Sequence, residues 1–383
     1  MRDTYQWFFP LGIVFGVLGV GVWILFWLQK IHFYPSPLHS ELMIGGFFLT
    51  VAIGFLMTAI PRFTNTHSTS FMEIGVAFLI ALFLLVSAFL ANRFWFYLVL
   101  FLEILLLVRF AVSRFFRSLL HPPPSFVLVG FGIFLVLLAT FLLLLQALLD
   151  QPLAFFSQQF LWHGFPLFLI LGIGTRLIPF ILGTTPKVVT PLQAPTPFST
   201  SSLDKKGILR FGIYGLLILL SFPLETSVSL VAGKILRAGV VTFILFTHWR
   251  IYLLPRTKAI LGWALWISAW MLVVGSWLPA LLPTYAVHAA HIYFIGTVSL
   301  MIFAVATRVV VSHGKHDSSL EIRSKALLAM LIFFVLALVI RFTAPWSGNY
   351  FSHLAFASFF WLAAVFSWSV VFLKKVLIKK GLS

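Results

Sequence analysis

The chain contains no cysteine, and only 9% of its 383 residues are charged, nine of them acidic. The first absence excludes disulfides, iron–sulfur clusters, thiolate metal sites and cysteine nucleophiles. Any metal has to be held by His, Met, carboxylate or backbone. The second excludes an ordinary soluble globule, whose surface needs a charged exterior. What fills the chain instead is apolar: 61% of the residues are hydrophobic, with 45 Phe and 13 Trp. This composition predicts an all-α, polytopic integral membrane protein. The net charge of +17 does not point to nucleic acid here, because the basic residues fall in short loops between apolar runs, where they set topology and touch anionic lipid head groups.

A span needs about 20 apolar residues to cross a hydrocarbon core of about 30 Å, and a helix satisfies its own backbone there. That ruler gives about 12 transmembrane helices: Trp7–Leu28, His39–Ile60, Phe71–Ala91, Phe94–Val112, Phe126–Leu149, Phe160–Leu182, Phe211–Leu230, Leu236–Leu254, Ile260–Leu278, Tyr285–Val311, Ala326–Thr343 and Tyr350–Leu373. The first run lacks an obvious small-residue cleavage site and reads as the first helix. Pro223, Glu225, Lys234 and Arg237 crowd the junction of the seventh and eighth. The chain reads as one membrane domain, with a first six-helix half over 1–182, a flexible cytoplasmic linker over 183–209 rich in Pro, Thr and Ser, and a second half over 210–383. Loops after even-numbered helices carry most of the Lys and Arg, so the positive-inside rule puts both termini in the cytoplasm.

Even-numbered helices then run inward. His39, His163, His288, His291 and His353 all fall in their first turns, on helices two, six, ten and twelve. An interfacial histidine is ordinary, being an amphipathic group tolerated at head-group level. Five in one layer on four helices of the same direction point instead to ligation of a metal or haem. His288 and His291 lie three residues apart on one helix face, and imidazole suits haem iron and copper alike.

The interval from His39 to His163 is 124 residues and that from His163 to His288 is 125, four helices each time. Helices six and ten both carry Thr-Arg toward their inner ends, Thr175-Arg176 and Thr307-Arg308. The rhythm suggests three four-helix units about a pseudo-threefold centre.

Charges within the apolar runs are the second class of candidate, since each is costly unless paired or hydrated. Arg176 follows His163 by 13 residues, roughly 20 Å deeper along a helix, and Glu103 sits in the middle of the fourth span. Both are read either as structural ion-pair members or as functional groups, Glu103 on a proton path. Lys234 and Arg237 break the positive-inside pattern on the outer side, where haem propionates or lipid phosphates would account for them.

Three blocks resemble one known family. The first is His291-Ile-Tyr-Phe-Ile-Gly296, followed by Arg308 and His313. The second is His39 with Gly54-Phe-Leu-Met-Thr-Ala-Ile-Pro61, and the third Gly172-Ile-Gly-Thr-Arg176-Leu-Ile-Pro179. Over essentially its whole length the chain is similar to the NnrS proteins, twelve-helix haem- and copper-containing membrane proteins associated with nitric oxide and denitrification. Where that family has His-x-His-Glu, this chain has His39-Ser40-Glu41, so Glu41 marks a departure. The arrangement is also similar to the catalytic subunit of haem–copper oxidases, with ligand histidines on helices two, six and ten. The seventh helix has no histidine, which argues against a proton-pumping oxidase.

The resemblance implies a b-type haem, with His39 and His291 as leading ligands and His288, Arg237 and Lys234 around it. Copper would fall to His163, His288 and His353, and Arg176, Arg308, Glu41, Glu103 and His313 complete the candidate set. The implied setting is the bacterial inner membrane, with nitric oxide as ligand or substrate of an oxidoreductase and a quinol or cytochrome as electron donor. The alternative is a cofactor-free membrane transporter or channel for a small solute. A sensor or an assembly partner of a denitrification enzyme is a third reading.

Overall fold

The computed structural model of the chain describes residues 3–90, 92–118, 121–150, 156–185 and 203–378. Among them twelve apolar helices form: α1 (Tyr5–Trp27), α2 (Ser36–Phe63), α3 (Phe71–Ser87), α4 (Arg93–Phe115), α5 (Phe126–Leu149), α6 (Ser157–Leu182), α7 (Lys205–Ser227), α8 (Leu230–Trp249), α9 (Ile260–Leu281), α10 (Pro283–His313), α11 (Lys325–Trp346) and α12 (Tyr350–Leu377). Eleven are long and apolar enough to cross a membrane, and α3 is shorter. No strand forms among the described residues. The protein is a multi-pass, all-α membrane protein.

Several boundaries differ from the sequence expectation, each for a local reason. Helix α3 stops at Ser87 instead of running to 91, and α4 starts at Arg93 with the Asn92 side chain accepting from the Phe94 N–H. At its start α3 has a reciprocal cap, Ser70 with Glu73, which satisfies two otherwise orphaned donors. Helix α7 begins at Lys205, capped by Asp204, so the linker expected over 183–209 ends earlier; residues 186–202 of it lie outside the described residues. Helix α8 begins at Leu230, capped by Ser229, six residues before the expected start. Lys234 and Arg237 had marked a break, but they sit within its first turns because Glu225 at the end of α7 pairs with both.

Helices successive in the chain alternate in direction. The start of α1 meets the ends of α2 and α12, through Tyr5 N to Thr58 Oγ1 and Gln6 Nε2 to the Val376 carbonyl. The end of α1 meets the start of α12 through Trp27 and Ser352. Contacts trace a closed ring of nine helices, α1–α3–α4–α5–α7–α8–α9–α11–α12 and back to α1, around α2, α6 and α10. In the most apolar stretch of these three, 83, 61 and 72% of residues are buried, against 28–50% in the other eight spans. The three inner helices are four apart in chain order, as the histidine intervals suggested.

Each inner helix also widens into a π turn near its first histidine: Glu41–Phe48 in α2, Phe160–Gly164 in α6 and Ile292–Ser299 in α10. Such turns occur frequently at functional sites. The ring braces the inner helices through indole–hydroxyl bonds: Trp249 of α8 donates to Thr175 of α6 at 3.0 Å, and Trp368 of α12 to Thr307 of α10 at 2.8 Å. The two Thr-Arg motifs thus share one structural use, with Thr turned to a ring tryptophan.

Candidate functional site

The polar groups collect at the end of the bundle where α2, α6 and α10 begin. His39, on the first turn of α2, hydrogen-bonds through Nδ1 to the Gly19 carbonyl of α1 at 2.7 Å, with Trp23 edge-on at 5.9 Å. Gly19 is needed there: a Cβ would run into Leu42 and Met43 of α2, and only close approach delivers the carbonyl. His291, one residue before the π turn of α10, bonds through Nδ1 to the Val287 carbonyl, also at 2.7 Å. A carbonyl accepts only, so in both rings Nδ1 carries the proton and Nε2 keeps its lone pair. Both rings are half-buried. A histidine whose far nitrogen donates to a backbone carbonyl is the usual arrangement of a metal ligand.

His288 differs. Arg341 of α11 donates to its Nδ1 at 2.6 Å, so that nitrogen's lone pair is occupied and Nε2 carries the proton. His39, His288, His291 and Arg341 form one electrostatic neighbourhood. Arg341 is not among the candidates read from sequence; its signal is a charge inside the eleventh apolar run, Ala326–Thr343. In the fold it is buried, 9% exposed, and also interacts with Tyr350. His353, at the start of α12, has a buried Nδ1 without a hydrogen-bond partner.

His163 lies in a different pocket. Its ring stacks on Tyr293 at 6.1 Å and tilts against Phe294 at 5.0 Å, and its Nδ1 is buried without a partner. It lines a polar cavity with Glu225, Lys234 and Arg237. Arg237 and Lys234 do not stand as free cations: Glu225 accepts from Arg237 at 2.5 Å and lies 3.7 Å from the Lys234 ammonium. Among the described residues no three His, Asp or Glu side chains converge as a metal site.

The remaining candidates spread along the bundle. Glu41, in the π turn of α2, accepts from Arg93 of α4 at 2.5 Å and from Tyr97 at 3.4 Å, clamping two parallel helices at their starts. Glu103 is wholly buried in α4, and neither carboxyl oxygen has a hydrogen-bond partner. At the opposite end Arg308 pairs with Glu321 of the short helix Ser319–Arg323 at 2.7 Å. Burial pushes the Glu321 carboxyl above its ordinary range, and Arg308 pulls it back. His313 accepts from Arg62 of α2 at 2.6 Å, and Arg176 is exposed.

Between these ends, where α2, α6 and α10 face one another, lies an apolar cavity of about 90 Å³ walled by residues such as Phe48, Phe55, Ile170, Ile173, Val298 and Met301.

No curated protein matches the chain in a sequence search. A family model described as NnrS protein matches residues 1–380. The match spans all three inner helices and the nine around them, and the chain belongs to the NnrS family.

Proposed function

We propose that this chain is a haem-binding protein of the bacterial inner membrane, with both termini cytoplasmic, that acts in the response to nitric oxide. The observation that carries the reading is the matched state of His39 and His291: two half-buried rings in one neighbourhood, each with Nδ1–H on a backbone carbonyl and Nε2 open. An Nε2 in this state would hold haem iron. With no cysteine in the chain, haem would be held without thioether bonds, as a b-type group. When bound, it supplies an iron centre that takes nitric oxide as a ligand and exchanges single electrons.

The chain's own residues do the rest. The Gly19 and Val287 carbonyls fix both rings in one tautomer, and Arg341 keeps a positive charge beside them. The aromatic shell of Trp23 and Phe294 restricts water. The apolar cavity between α2, α6 and α10 suits a small uncharged gas, since cavities of this lining stay dry and accept apolar guests. A quinol or a cytochrome is the donor class for any turnover. His163, His288 and His353 do not converge as a metal site among the described residues, so the reading holds haem alone.

Protein purified from haem-replete cells is expected to show a Soret band that weakens in His39→Ala and in His291→Ala. Wild-type protein free of haem would overturn the reading. One observation favours the second reading, a cofactor-free transporter: the unpartnered carboxyl of Glu103, since buried ionisable groups in spans often mark ion or proton routes. Haem analysis of the same sample, together with uptake by proteoliposomes of wild type and Glu103→Gln, separates the two.

A further inference from the structure

A second polar feature at the histidine end lies apart from the hydrogen bonds of His39 and His291. Between α6, α7, α8, α9 and α10 lies a cavity of about 140 Å³ whose polar wall includes His163, Glu225, Lys234, Arg237 and Tyr293, with Gln159 and Ser276 beside them. Its floor is tightly built: Gly275 of α9 lies so near the Tyr293 backbone that a Cβ would collide with it.

The charges in this wall do not cancel. Arg237 is held firmly, donating to Glu225 at 2.5 Å and to Ser221 at 3.2 Å, with its guanidinium 4.3 Å above the Phe222 ring. Lys234 is held loosely, 3.7 Å from the other Glu225 oxygen, within ion-pair range but beyond a hydrogen bond. Two cations against one carboxylate leave one positive charge in excess, in a wall whose Lys234 and Arg237 side chains are each only 12% exposed. An uncompensated cation inside a membrane protein is costly. The neighbouring groups also have hydrogen-bonding capacity to spare: the His163 Nδ1 is buried without a partner, and the Tyr293 hydroxyl reaches only a long 3.4 Å bond to the His163 carbonyl.

We propose that this cavity binds a small monovalent oxyanion, with the Lys234 ammonium as its principal charge and the Tyr293 hydroxyl and His163 ring as hydrogen-bond donors. One negative charge balances the excess, whereas a divalent anion would overshoot it. Glu225 acts as a competitor for the same cations and sets the affinity.

The probe is sodium nitrate, titrated calorimetrically into the full chain in phosphatidylcholine nanodiscs. Saturable binding is expected, weakened about tenfold or more in Lys234→Gln and strengthened in Glu225→Gln, with sodium sulfate failing to compete. A merely structural triad would give no such opposite signs. Should Lys234→Gln fail to fold, the direction in Glu225→Gln decides alone. No saturable binding by the wild type, or a weakening in Glu225→Gln, overturns the proposal. Nanodiscs containing phosphatidylglycerol tell a free anion from a lipid phosphate: unchanged nitrate affinity supports the site, and its loss overturns it. Binding is expected to persist in His39→Ala, so failure of the haem reading and failure of this one are separate results.

Discussion

The two ends of the bundle hold the same residue types in different states. Where α2 and α10 begin, Arg341 donates to His288 at 2.6 Å; where they end, Arg62 donates to His313 at the same distance. Around the first pair the arginine is 9% exposed and two further histidines keep a nitrogen open. Around the second the arginine side chain is 49% exposed and reaches Asp3 at 3.6 Å, while Arg308 closes on Glu321. The far end therefore reads as a set of ties between α2, α10 and the following loop. The near end is where desolvation makes each polar contact matter and where an open nitrogen has few competitors. A histidine–arginine motif alone does not separate the two, since the arginine donates to Nδ1 in both; its burial and the open histidines beside it do.

The largest effect should break this contrast outright. His288→Ala is expected to leave the Soret band in place while His291→Ala, three residues away, weakens it; equal losses would mean that the tautomer argument fails. Next in size is the buried clamp at the near end. Arg93→Ala leaves the Glu41 carboxylate without its main partner, and a loss of about 1–3 kcal/mol is expected in thermal or denaturant unfolding. The indole braces come third: Trp368→Phe and Trp249→Phe each remove one bond to a threonine, for about 1 kcal/mol apiece beyond the packing change, with similar values if α6 and α10 are braced alike. The smallest effect belongs to the far end, where Arg62→Ala should cost at most about 1 kcal/mol and leave the optical spectrum unchanged.

Much of this was legible in the sequence. Length and hydropathy alone give twelve apolar helices, because a membrane imposes one ruler on every span. The histidine intervals point to α2, α6 and α10, and those three are the inner helices. What escaped are features that depend on partners across the fold. The π turns leave no periodic trace in runs as apolar as Leu42–Phe48 or Ile292–Gly296. Lys234 and Arg237 looked like a helix break with unpaired cations because Glu225, on another helix, could not be placed beside them. Arg341 escaped because nothing among its sequence neighbours says that His288 faces it. His288 and His291 are indistinguishable by spacing; only the hydrogen bonds at their Nδ1 atoms set them apart.

The two open histidines are chemically alike and mechanically unequal. His291 takes its acceptor from the preceding turn of its own helix, so its proton travels with the ring. His39 borrows its acceptor from α1, across an approach that Gly19 makes possible. A slide of α1 along α2 therefore releases the proton of one ring and leaves the other untouched, so that the basicity of the His39 Nε2 answers to the packing of the first helix. Anything that grips α1, whether lipid, detergent or a neighbouring protein, acts on a nitrogen it never contacts.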